Sequence, residues 1–60
     1  MSELKDLIIE QIKEYKLKLE EIEKVLARKY KLHESFADDV IRANGYKMLI
    51  KEAVNMIAEF

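Results

Sequence analysis

The 60-residue chain has no cysteine, no proline and no tryptophan, and only one glycine and one histidine. Each shortage closes a class. Without cysteine there is no disulfide framework and no thiolate zinc site. A single histidine, His33, leaves no imidazole cage for a metal. With Gly45 as the lone glycine, a glycine-rich phosphate loop is excluded. Apolar runs never exceed three residues, as at Leu7-Ile8-Ile9. No segment therefore reads as a membrane span or as a signal-peptide core. An excess of one charge is missing too: 11 basic residues face 12 acidic ones, for a net charge of −1. Little long-range repulsion opposes assembly.

What is present is apolar and helix-forming. Half the residues are apolar, which argues against disorder. The length allows one domain at most, taken as residues 1–60. A chain this short buries only about 60% of the surface its unfolded form exposes. With disulfides and metals excluded, self-association or folding against a partner is the remaining way to complete a core.

Helix formers dominate, no proline interrupts them, and no apolar/polar alternation marks a strand. The first helix is expected from about Glu3 to Lys31, with Ser2 as N-cap. Glu3 and Asp6 open it and Arg28, Lys29 and Lys31 close it, both in the order the helix dipole favours. Its apolar seam is Ile8, Ile12, Tyr15, Leu19, Ile22 and Leu26, spaced alternately by four and three as in a coiled coil. Leu4, Leu7, Ile9, Val25 and Tyr30 widen that stripe. Glu14–Lys18 and Glu20–Lys24 stand at the favourable i,i+4 spacing. The break falls at Lys31–Ser35. Ser35 and Asp38 resemble a capping box, His33 is an alternative cap, and Leu32 is expected beneath the turn.

The second half carries a seam of Phe36, Val40, Ala43, Tyr46, Ile50, Ala53, Ile57 and Phe60. Asn44-Gly45 resembles a helix stop. The apolar phase nevertheless crosses it without a slip, and an interior glycine costs only about 1 kcal/mol. The preferred reading is one arm from Ser35 to Phe60; the alternative is two helices, Ser35–Asn44 and Tyr46–Phe60. Ile12, Tyr15, Leu19, Ile22, Leu26, Phe36, Val40, Ile50 and Ile57 are the expected core.

Two patterns bear on function. Residues Val25–Ile41 loosely follow helix-turn-helix spacing, with Ala27 where a small residue packs between helices. The face that would meet DNA, however, carries Glu34, Asp38 and Asp39, which repel phosphate. Lys24, Arg28, Lys29 and Lys31 form a basic run that, with Arg42, supplies a nucleic-acid alternative. No metal-ligand or nucleophile–base spacing appears, and His33, Glu34 and Ser35 read as cap and turn residues. The other pattern is a surplus of apolar and aromatic side chains that one seam cannot bury, including Met48 and Met56. Such side chains suit a dimer core or a ridge for a foreign helix.

The expected fold is all-α: an antiparallel helical hairpin that self-associates, most simply as a dimeric antiparallel four-helix bundle. The expected function is a non-enzymatic protein-protein interaction module, an adaptor or inhibitor acting by helix packing on a partner or on itself. Its expected interface residues are Tyr15, Leu19, Ile22, Leu26, Tyr30, Met48, Met56 and Phe60. No cofactor, metal or membrane is implied. The lack of cysteine and of an export signal fits the cytoplasm. The alternative is a small nucleic-acid-binding regulator using Lys24, Arg28, Lys29, Lys31 and Arg42.

Overall fold

A computed structural model describes residues 3–59. Two expectations, Ser2 as N-cap and Phe60 at an interface, lie outside the described residues. Helix α1 spans Glu3–Lys31 and helix α2 spans Ala37–Ala58. They pack side by side as an antiparallel hairpin, a rod of 48 × 14 × 12 Å. The radius of gyration is 14.3 Å, against about 10 Å for a compact chain of this length.

The reversal is made by a left-handed residue. His33 has φ 58°, and it ends α1 rather than capping α2. Its N–H donates to the Tyr30 carbonyl at 3.2 Å, and the Glu34 N–H donates to the Lys29 carbonyl at 2.8 Å. This pair of bonds is the Schellman closure, and it satisfies carbonyls that the helix end would otherwise orphan. Leu32, placed under the turn from sequence, is 58% exposed instead. The left-handed step directly after it turns the chain so that Tyr30 and Phe36 close the turn, their rings edge-on at 6.3 Å. Ser35 does not cap α2 either. The N-cap is Phe36, and no side chain bonds to the free N–H groups. Asp38 and Asp39 in the first turn supply the negative charge that a missing cap leaves to the dipole.

Helix α2 runs unbroken through Asn44-Gly45, and Gly45 has no positive φ. The two-helix alternative is thereby corrected. The seam contacts on both sides of the glycine outweigh its modest propensity cost.

Between the arms, the open end holds an apolar cluster of Ile8, Ile12 and Ala53, with Ile50 and Ile57 packed on it. Midway, the Tyr15 and Tyr46 rings meet at 5.8 Å, tilted by 49°. Beyond them Ile22 and Ala43 are buried, and Leu19, Leu26 and Phe36 are half-buried. Val40 departs from the expected core. It is 38% exposed, and the seam position next to the turn is taken by Asp39, 6% exposed. Counting back from Ala43, a step of four reaches Asp39 and a step of three reaches Val40, and helical periodicity permits either. The Lys29 ammonium, 2.6 Å from the Asp39 carboxylate, accounts for the choice.

Candidate protein-docking groove

Two helices alone cannot enclose a core, and none of the described side chains is fully buried. The chain exposes 5033 Å², against about 4,100 Å² for a compact protein of its mass. Large apolar side chains remain open to solvent on both arms, Leu7, Leu17, Ile41, Met48, Leu49 and Met56 among them. The arms differ in how they distribute such residues. In α1 they gather on the seam and its flanks, apart from Leu17. In α2 they occur all round: the seam, the flank carrying Leu49 and Met56, and the outer side carrying Ile41 and Met48. A helix apolar all round is ordinarily buried all round.

The exposed apolar surface is shaped along one side of the hairpin. Near the open end a depression of about 240 Å³ lies between Ile8, Gln11 and Tyr15 of α1 and Leu49, Ala53 and Met56 of α2. A second, of about 230 Å³, lies over Gly45 between Arg42, Tyr46 and Leu49. A third, of about 320 Å³, lies toward the turn between Lys18, Glu21, Ile22 and Val25 of α1 and Arg42 and Tyr46 of α2. The first two share Leu49, and the last two share Arg42 and Tyr46, so the three run together as one groove. From Ile8 to Val25 it extends roughly 25 Å at the helical rise. Its α2 wall is Arg42, Gly45, Leu49, Glu52 and Met56, again spaced by three and four. This second stripe was legible in the sequence beside the seam, but the glycine and the two charges interrupt it. The wall is shallowest at Gly45, where a Cβ would meet nothing within 4 Å.

The expected interface residues fall into three places. Tyr15, Leu19, Ile22 and Leu26 lie between the arms, buried or half-buried by the hairpin itself, with Tyr15 and Ile22 also lining the groove. Met56 stands on the groove wall, whereas Met48 is on the outer side of α2 and Tyr30 is at the turn, both exposed. Gln11, Leu49 and Glu52 belong to the groove and were not singled out from sequence, and Gly45 was read there only as a possible helix stop.

The basic residues are divided. Lys24, Arg28 and Lys31 are exposed, and their spacing sets them on the side of α1 away from α2. Lys29 is turned inward to Asp39, and Arg42 Nη1 lies 3.7 Å from the other oxygen of the same carboxylate. The five cations thus do not form one surface, and the turn joins antiparallel arms rather than helices crossed at the 90–120° of a helix-turn-helix. The Glu14–Lys18 pair forms at 3.8 Å, while no ion pair joins Glu20 to Lys24. Among the described residues no three metal-ligating side chains come together, and no helix is long and apolar enough to cross a membrane. Comparison with protein-family models, with curated proteins and with solved structures gave no match.

Proposed function

We propose that this chain is a non-enzymatic docking module that binds protein through helix packing, as an adaptor or inhibitor. One observation carries the reading: a groove along one side of the hairpin, apolar toward the open end and flanked by charges toward the turn, on two helices that leave each other's cores half covered. A groove of this kind accepts the apolar face of a further helix, whose axis would settle about 8–10 Å from each of the two already present. Methionine at its rim suits such a role, because an unbranched thioether adapts to different partners. Among the described residues the buried carboxylate, Asp39, is engaged by Lys29 and Arg42, and the other acid, base and nucleophile candidates lie outside any dry pocket, which supports binding rather than chemistry.

The test is capture by the immobilised chain, compared between the wild type and Leu49→Lys. Leu49 is half open to solvent and lies on the groove wall, so the charge interferes with docking more than with the hairpin. The expected result is a protein partner held through high salt and lost with Leu49→Lys. Capture indifferent to Leu49→Lys would remove the groove from the function. Retention of nucleic acid alone, falling steeply with salt and lost with Lys24→Glu and Arg28→Glu, would instead favour the nucleic-acid regulator.

A further inference from the structure

Resting on the docking reading above, we infer that the groove's occupant is the same groove of a second copy of this chain. In this arrangement the copies are antiparallel and cross between Gly45 and Leu49. Area supplies the first argument. Two separate hairpins, each exposing 5033 Å², exceed a compact dimer of the same total mass by roughly 3,300 Å². That excess is an upper bound, and it falls within the roughly 2,000–5,000 Å² buried by obligate homodimers.

Charge supplies the second argument. On the groove wall of α2, Glu52 stands toward the open end and Arg42 toward the turn. Around Leu7, further toward the open end, are Glu3, Asp6 and Glu10, whereas Lys18 and Glu21 lie with Arg42 near the turn. The lining therefore runs from acidic at the open end to net basic toward the turn. A parallel copy would set acid on acid and base on base. An antiparallel copy sets Glu52 of each chain near Arg42 of the other, and a two-fold axis through the middle of the groove satisfies both pairs at once.

The third argument is the space beside that middle. Gly45 lies between Arg42 and Leu49 on the α2 wall, open above its Cα. The register that sets Glu52 against Arg42 sets Gly45 of each chain against Leu49 of the other, and glycine leaves room for that side chain and for a close backbone approach. Its place inside a helix, where it has neither a positive φ nor a turn to make, is otherwise only a cost.

Sedimentation equilibrium of the full chain over a wide concentration range is the test, with helix content followed in parallel. The wild type is expected to be a dimer whose melting temperature rises with concentration. Gly45→Glu is expected to abolish the dimer, whether or not the helices persist. Glu52→Arg is expected to weaken it about tenfold at low salt, and adding Arg42→Glu to restore it. In a parallel pairing Glu52→Arg would replace one like-charge contact by another and leave association unchanged. A monomer at all concentrations, a dimer that tolerates Gly45→Glu, or a Glu52→Arg defect that Arg42→Glu does not rescue would overturn the arrangement. A monomer that still captures a foreign protein through Leu49 would leave the docking reading intact without the second copy.

Discussion

The two ends of the hairpin are held by different physics. At the open end Ile8 and Ile12 pack on Ala53, with Ile50 and Ile57 at the margin. At the turn end the corresponding seam position is a carboxylate, Asp39, gripped by Lys29 at 2.6 Å. Interdigitated apolar side chains resist a small slide, but they discriminate weakly between whole registers. A short charged hydrogen bond is met at one register only. The open end therefore supplies cohesion and the turn end supplies alignment, with the Schellman closure limiting how far the arms can drift. A heptad seam that was apolar throughout would have had the first property without the second, much as a single polar residue in a coiled-coil seam sets register at some expense of stability.

The comparison is broken most severely at the apolar end. Ile12→Ala is expected to destabilise the fold by about 2–4 kcal/mol, from lost transfer energy and the cavity left beneath Ile50 and Ile57. A denaturant melt measures it, and a loss under about 0.5 kcal/mol would class Ile12 with surface positions. At the turn end Asp39→Ala is expected to cost about 1–3 kcal/mol. It strands the Lys29 ammonium, whose partial exposure softens a penalty that would be larger for a sealed charge. The double change Asp39→Leu with Lys29→Met separates cohesion from alignment. It is expected to be neutral or stabilising in the same melt while broadening the amide resonances of residues 26–43, because the arms lose their fixed register.

Much of this architecture was legible in the spacing of the apolar residues. Ile8, Ile12 and Ile22 were assigned to the seam and are buried, and the limits of α1 follow from where charge and phase change together. The continuity of α2 was legible for the same reason, since Tyr46 and Ile50 keep the phase that Ala43 sets. Asp39 was hidden because hydropathy cannot place a carboxylate on an apolar seam. Only its partner ten residues upstream explains it, and that contact exists once the chain has turned. The left-handed His33 was hidden because glycine is the usual mark of such a position. The groove was partly hidden too. Arg42 and Glu52 dilute the stripe that carries Leu49 and Met56, and they read as solvent-facing charges until the depressions between the helices are traced.

The turn end can be sharpened rather than broken. His33 adopts φ 58° with a Cβ, at a cost that glycine avoids. His33→Gly is expected to stabilise the hairpin by about 1 kcal/mol after allowing for the extra freedom of the unfolded chain. The gain should appear as a higher melting midpoint with unchanged denaturant slope, and it should be the same at every protein concentration, because residue 33 stands at the tip of the rod, away from the groove.

The smallest expected effect lies midway between the two ends. Gly45 is helical, its φ is not positive, and the space its Cβ would enter is empty. Within one hairpin Gly45→Ala adds helix propensity and narrows the unfolded ensemble, for a gain of about 0.5 kcal/mol. The same methyl projects into the groove where a second backbone is inferred to cross. At low micromolar concentration, where dissociation favours separate chains, the variant should therefore melt later than the wild type. At high concentration the advantage should shrink or reverse as each methyl meets Leu49 of the other chain. His33→Gly, measured alongside, controls for any general dependence of stability on concentration. A Gly45→Ala gain that stayed constant over the whole range would mean that the glycine serves no contact between chains. The glycine would then be only a weak point in α2, tolerated because the seams on either side of it hold.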